Sequence, residues 1–385
     1  QKNCQECHRP GQIGPMPLIR YEDAEGNSAM IREVIVDKRM PPWYADPKIG
    51  HFKGDRRLPE EEAKTLVAWI DQGCPKGDAK DMPLPRDFPE GWKIGKPDII
   101  LTMKPYDVPA ENPRGGIPYK YFWVDTNFKE DMWFERAEAK PGATEVVHHI
   151  IAFVVPGRDS DEVVPPGPPL LPPFIPEGRK ATVLCGTAPG DMPLILPPGC
   201  ARKIPKGSRI LFQMHYTPNG KAQSDASSIG LIFCKKPPEY RVLSLAVFSF
   251  PLKIPAGDPN YRVECDGPLD LESGKVGFDE PARVLGFMPH MHLRGKDFYI
   301  EALWPNGKTE PLLSVPRFNF SWQNMYRLAE PLELPVGSKI RCVAHFDNSA
   351  DNRNNPDPTK TVFWGDQTWQ EMMIGWTDVA FKVKK

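Results

Sequence analysis

The 46 prolines and 31 glycines spread through these 385 residues constrain the fold more than any other feature. Proline lacks the amide proton that a helix interior needs, and both residues suit the ends and turns of short strands. The expectation is a mainly β chain of many short strands. "RILFQMHY" (209–216) sets Ile210, Phe212 and Met214 against Leu211, Gln213 and His215, the period-2 pattern of a half-buried strand. "SKIRCVAHF" and "DFYIEALWPNG" read the same way. The densest proline run, "VVPPGPPLLPPFIP" (163–176), reads as a polyproline-like loop. An apolar fraction of 40% supports ordinary cores, and the length favours two or three domains. A net charge of -1 argues against nucleic acid as a partner, and no run of apolar residues is long enough for a transmembrane segment.

Only residues 1–80 carry helical punctuation. "LPEEEAKTLVAWIDQG" has Pro59 at its start, acids in its first turn and Gly73 at its end, with Ala63, Leu66, Val67 and Ile70 on one face. Met30, Ile31, Val34 and Ile35 mark a second helix, stopped by "RMPPWYAD". The expected organisation is a small all-α domain over 1–80, a linker over 81–105, and two β-sandwich domains over 106–242 and 243–385.

The helical segment opens with "CQECH", Cys4 to His8. Two cysteines, two spacers and a histidine form the attachment signature of a c-type haem: Cys4 and Cys7 bond the vinyl groups and His8 ligates the iron. No second CxxC exists to complete a zinc site instead. A small cytochrome c domain is therefore expected, with Met40 as sixth ligand and His51 as its rival. Haem attachment of this kind occurs outside the cytoplasmic membrane, so the chain is expected to be periplasmic or extracellular, and a start at Gln1 reads as a processed N-terminus. Six cysteines remain: Cys74, Cys185, Cys200, Cys234, Cys265 and Cys342. Local spacing pairs Cys185 with Cys200 and Cys234 with Cys265, although spacing does not determine connectivity.

Five of the eight histidines fall in three short β-like stretches: His148 and His149 in "EVVHHIIAF", His215 in "FQMHY", His290 and His292 in "FMPHMHLRGK". Residues i and i+2 of a strand share a face, so His290 and His292 could hold one ion. Adjacent His148 and His149 could share a metal only at a strand end or a bulge. Imidazoles suit zinc, copper, iron and nickel, and a thioether in the set selects copper(I). "QEMMIGW" offers one, Met372 or Met373.

These motifs together (HH, then FQ-x-HY, then H-x-H with a following L-x-GK, then a late EM) resemble the ascorbate-dependent type II copper monooxygenases, the family of dopamine β-hydroxylase and peptidylglycine α-hydroxylating monooxygenase. The resemblance covers about residues 106–385. It implies two jelly-roll-like copper domains, with His148, His149 and His215 holding an electron-transfer copper. It also implies that His290, His292 and Met372 hold the copper that meets dioxygen and a substrate C–H bond. Met372 is preferred over Met373 because it follows glutamate, as in the family's EM. Met373 stands where the family has a cysteine, so Cys342 either pairs differently or stays free. Met288 and Trp376 occupy the places where the amidating enzymes bind a peptide carboxylate with arginine and tyrosine, which argues for a small apolar or aromatic substrate instead. His345 is either a supporting group behind a metal ligand or a structural residue.

The implied activity is hydroxylation by dioxygen, with two copper ions and one covalent haem c. Each turnover uses two electrons, supplied one at a time by an external donor, either an ascorbate-like reductant or a redox protein. A tethered haem would relay them at high effective concentration. A multi-centre electron-transfer or copper-handling protein without oxygenase activity is the alternative, and a binding module with core histidines is a third reading.

Overall fold

A computed structural model describes residues 1–88, 91–112, 117–157, 181–188, 192–269, 275–365 and 367–384. The proline run at 163–176 lies outside the described residues. Among them, the three α-helices all precede residue 72: α1 (Tyr21–Gly26), α2 (Ser28–Val36) and α3 (Glu60–Asp71). Twenty-one strands follow, so the fold is mainly β, as the proline content requires.

The principal sheet runs β1 (Ile99–Thr102), β11 (Ser228–Phe233), β4 (Met132–Lys140), β8 (Cys200–Ile204), β12 (Tyr240–Phe248), β21 (Ile374–Lys382), β15 (Ala282–His290) and β18 (Tyr326–Leu334), with β7 (Leu194–Ile195) beside β4. Two four-stranded sheets accompany it. One is β3 (Lys120–Asp125), β9 (Arg209–Tyr216), β5 (Val147–Val155) and β6 (Thr182–Thr187). The other is β14 (Tyr261–Gly267), β19 (Lys339–Phe346), β16 (Gly295–Leu303) and β17 (Thr309–Val315). Two short ladders, β2 (Tyr106–Val108) with β10 (Gln223–Asp225) and β13 (Lys253–Ile254) with β20 (Val362–Phe363), complete the list.

Each four-stranded sheet shares a core with one half of the principal sheet, consistent with β-sandwich architecture. Phe134, Ile229 and Leu231 meet Ile150, Phe212 and Met214 in the first core, and Val284, Phe287 and Val379 meet Phe298, Ile300 and Ile340 in the second. Burying such side chains contributes about 1.5–3 kcal/mol each. The two halves are not separate sheets. β8 and β12 pair in parallel, Tyr240 with Cys200 and Arg241 with Ala201, and make the principal sheet continuous. The expected division at residue 242 therefore falls inside β12, and the end of the expected linker, Ile99–Thr102, is strand β1. In β9 the face carrying Ile210, Phe212 and Met214 is fully buried, as its alternation demands.

A free-standing all-α domain is not evident in residues 1–80. The helices bury one side chain, Ile31, and α3 holds its apolar face only half-covered. A domain below about 40–80 residues rarely builds a sufficient core without a staple such as a metal or a cofactor. Instead, residues 42–56 attach the segment to the second sandwich. Trp43 packs edge-on against Tyr326, with ring centroids 5.0 Å apart, and Trp43, Tyr44 and Ala45 join the second core. Phe52 pairs with Leu328, and the Lys53 amide donates to the Arg327 carbonyl (2.8 Å), so the segment covers the outer edge of β18. Capping a sheet edge in this way removes a row of unpaired backbone groups. Trp43→Ala should therefore cost about 3–5 kcal/mol in denaturant unfolding. Limited proteolysis should then cut within 42–58 well before it cuts the sandwiches.

Candidate metal centres and the cavity between them

β5 and β9 bring the first three histidines together through an irregularity. Their antiparallel register shifts between Val147 and His149, so His148 is an extra residue on β5. A bulge of this kind turns two consecutive side chains towards one side. His149 is paired with His215 across the ladder. One ligand atom from each of His148, His149 and His215 lies within 4.8 Å of the other two.

The chemistry of these rings fits a cation. Burial holds His148 and His149 below the usual imidazole range, and pushes His215 down to about 4, so all three are neutral and carry a lone pair near neutral pH. His148 Nδ1 and His149 Nδ1 face each other at 3.3 Å. His215 Nδ1 is buried with no hydrogen-bond partner among the described residues. A buried ring nitrogen without a partner is costly unless something fills it. Tyr119 packs edge-on against His149 and His215, with centroids 5.6 and 5.2 Å away. Sequence reading missed this wall. Its only signal is the alternation of Tyr119 with Tyr121 on entry to β3.

The second set lies where β15 and β21 run side by side. His290 ends β15 opposite Ile374, two residues beyond Met372, which is 8% exposed. His290 and His292 stand with ring centroids 5.2 Å apart and planes at 89°. Their tautomers follow from their partners. Gln323 donates from Nε2 to the Phe320 carbonyl, so its Oε1 faces His290 Nδ1 and must accept from it. His292 Nδ1 donates to the Gln370 carbonyl at 3.1 Å. Both rings are left with Nε2 as the available lone pair, the arrangement typical of metal-ligating histidines. Burial lowers the His290 pKa and pushes His292 down to about 3.

Glu371, fully buried, joins the two loops of this set. Its carboxylate accepts from the amides of His292 (2.8 Å) and Arg294 (2.7 Å), while Arg294 donates to the Asn348 side chain and to the Trp369 carbonyl. Burial raises the Glu371 pKa to about 8, opposed by those same amide bonds. From sequence, Glu371 served only to align the methionine. Its structural task is to hold the H-x-H turn against the Met372 turn.

Met373 points elsewhere. It is fully buried in the second core, its Sδ 3.5 Å from Cys265 Sγ. Cys265 lies directly opposite Cys342 in the β14–β19 ladder. Gly375 packs over Cys342, and a Cβ there would come within 2.4 Å of its sulfur. All eight cysteines are unbridged, including Cys185, Cys200 and Cys234, so neither pairing expected from spacing is present. Spacing misleads here because Cys234 follows β11 in the principal sheet whereas Cys265 is in β14. His345 pairs with Asp297 (2.7 Å) across β19 and β16, a structural role.

At the N-terminus, Cys4, Cys7 and His8 share one turn, with the amides of Cys7 and His8 both donating to the Cys4 carbonyl. His8 Nδ1 donates to the Met16 carbonyl (3.0 Å), which leaves the ring's lone pair on Nε2. Gly14 allows this closure, since a Cβ there would sit 2.6 Å from the Cys7 carbonyl. Met40 follows α2, its amide donating to the Val34 carbonyl. His51 is exposed and lies on the edge of β18 through its carbonyl, which accepts from the Ala329 amide.

Both histidine sets open on one cavity of about 190 Å³ between the two sandwiches. His148 and His149 border it on the first side, and His290, His292 and Met372 on the second. Met288 and Trp376, paired in register, also line it. No helix among the described residues is long and apolar enough to cross a membrane.

No protein-family model matches the chain, and no curated protein matches it. Among solved structures it is similar to "Structure of PNGF-II in C2 space group", at 10% identity and a TM-score of 0.27, over 74% of this chain and 65% of that one. The chain thus spans just under two thirds of that protein's length, and the likeness carries no argument.

Replacing the Glu371 carboxyl tests the clamp. Glu371→Gln turns one acceptor into a donor facing a backbone amide, so stability should fall by about 2–3 kcal/mol. Hydrogen exchange at the His292 and Arg294 amides should rise while exchange in β9 stays unchanged.

Proposed function

We propose that the chain is a copper-dependent monooxygenase that hydroxylates a C–H bond of a small apolar or aromatic substrate. The observation that carries this reading is the opening of two imidazole sets, one of them with a thioether, on a single cavity. His148, His149 and His215 would hold one copper, and His290, His292 and Met372 the other, the thioether favouring copper(I). Cys4, Cys7 and His8 would hold a haem c, with Met40 as sixth ligand. The half-covered faces of α2 and α3 fit a chain segment that a haem completes as a small cytochrome domain. Bound there, the coppers would supply one-electron chemistry between dioxygen and substrate, and the haem a one-electron store refilled by an external donor.

The chain's own residues prepare these sites. Burial keeps the imidazoles neutral, so no proton has to leave before a metal is bound. Gln323 and the Gln370 carbonyl fix the ring tautomers of His290 and His292. Glu371 fixes the spacing of the two loops, and Met288 with Trp376 makes the cavity wall beside His290 apolar. Neither Met288 nor Trp376 can pair with a carboxylate as arginine does, which speaks against peptide amidation. Covalent haem attachment would put the protein in the periplasm or outside the cell.

Metal analysis should find one covalent haem and two coppers per chain. A single copper, or zinc that copper cannot displace, would count against the reading. Met372→Ile keeps bulk and removes the soft ligand, so substrate-coupled oxygen uptake should fall about a hundredfold or more while the three-histidine set retains its copper. Met373→Ile should leave uptake within about threefold of the parent chain, because that side chain fills core rather than cavity. Copper binding without any oxygen uptake would favour the electron-transfer alternative.

A further inference from the structure

The loop over 316–325, between β17 and β18, has two faces with different partners. One face meets the second histidine set. The Phe320 ring stands edge-on to His292, with centroids 5.9 Å apart and planes at 88°. The Phe320 carbonyl accepts from Gln323 Nε2 at 3.1 Å, and Gln323 Oε1 accepts from His290 Nδ1.

The other face is held by the amino-terminal segment. Arg317 donates to the carbonyls of Asp37 (2.9 Å) and Lys38 (3.4 Å), and Asn319 Nδ2 to the Tyr44 hydroxyl at 3.4 Å. Asn324, only 3% exposed, is gripped from both sides of its amide. Its Nδ2 donates to the Pro42 carbonyl at 3.3 Å, and its Oδ1 accepts from Arg56 Nη2 at 3.0 Å. A carbonyl only accepts and a guanidinium only donates, so just one orientation of the Asn324 amide satisfies both partners. Arg56 is in turn stacked over the Trp43 ring, 5.8 Å from its centroid.

The two faces are joined by single peptide links. Asn319 is followed by Phe320, and Gln323 by Asn324. A displacement of Asn324 therefore passes directly to Gln323, and through its carbonyl oxygen to the His290 ring. A surface loop with no strand partner of its own is among the more mobile parts of a fold. A ligand ring has to be held within about 0.5 Å and 10–20° of its working geometry. The loop's own sandwich supplies part of that rigidity, with the Phe318 amide donating to the Lys296 carbonyl at 2.8 Å. The bonds beside Gln323 itself come from residues 42 and 56.

Resting on the reading of His290, His292 and Met372 as one copper set, we propose that Asn324, backed by Arg56, is a positioning residue for His290. Residues 37–56 of the amino-terminal segment thereby complete the second set. The three-histidine set on β5 and β9 has no part in these bonds, so the dependence is one-sided. The segment that carries the CQECH turn does more than carry it, because its docking prepares one histidine set and leaves the other alone.

The test reads the rings themselves. Histidine-labelled full chain, stripped of copper with a chelator and held at pH 7, is followed by long-range nitrogen–proton spectra. In the parent chain His290 should show a single Nδ1–H tautomer. Asn324→Ala should speed exchange of that proton about tenfold or more, and His292, His148, His149 and His215 should keep their signals. Copper(I) affinity, by competition with a chromophoric chelator, should fall about tenfold at the second set and stay within about twofold at the first. Arg56→Ala makes the same measurement if Asn324→Ala does not fold. It should give about a threefold change, which Arg56→Lys largely restores by returning one donor. A parent His290 without a single Nδ1–H tautomer overturns the proposal. So does a folded variant with an unchanged His290 ring, or one whose five rings loosen alike. A His290 response without copper(I) at the second set sinks the copper reading alone. Copper(I) bound there, with His290 indifferent to both variants, sinks this proposal alone.

Discussion

The pairing of β21 between β12 and β15 is the constraint from which both the sheet and the second histidine set follow. β21 is hydrogen-bonded along its length to β12 and to β15, strands that lie far earlier in the chain. That register puts Ile374 beside His290, and hence Met372 and Glu371 beside the H-x-H turn. Glu371 then closes the two loops with a pair of amide bonds. Burying a carboxyl group is expensive, and two amide donors held at 2.7–2.8 Å offset part of that cost. The same strand supplies Trp376 and Asp378 to the cavity wall, so a single register places Met372, Trp376 and Asp378 there together.

The two histidine sets solve one problem differently. Imidazole must be neutral and correctly turned to bind a metal. At His290 and His292 the orientation comes from acceptors on Nδ1, which leaves the lone pair on Nε2. At His148, His149 and His215 it comes from a strand irregularity and from the ring of Tyr119, and Nδ1 of His215 is left unfilled. Keeping so many uncharged rings buried lowers stability below pH 6.5, where an unfolded chain would take up protons that the folded one refuses. A bound cation offsets that cost by linkage.

The amino-terminal segment depends on the second sandwich rather than on itself. Its helices have the capping and amphipathic signals of independent elements, yet they bury little. Trp43, Tyr44 and Phe52 give their area to the second core and to the edge of β18. A haem held at Cys4, Cys7 and His8 would therefore sit on a tether that is docked at 42–56, and also at Glu6, which pairs with Arg86 and Lys93. Effective concentration then follows from this anchoring more than from linker length.

Much was legible before any coordinates. Proline and glycine content predicts the mainly β fold, period-2 alternation finds β9 residue for residue, and punctuation around Pro59 and Gly73 finds α3 within a residue of its observed start. These are local effects of backbone geometry and patterned burial, which a sequence carries directly. The clustering of the histidines was legible too, because residue types and their spacing are written in the chain. What the sequence could not decide is non-local. The bulge that turns His148 and His149 to one side is a matter of register between β5 and β9. The clamp of Glu371, the Tyr119 wall and the Arg202–Asp378 pair join residues up to 176 positions apart. The opposition of Cys265 and Cys342 needs the β14–β19 ladder. A one-dimensional pattern says which face of a strand is apolar, but not which other strand meets that face, and only the tertiary pairing supplies that choice.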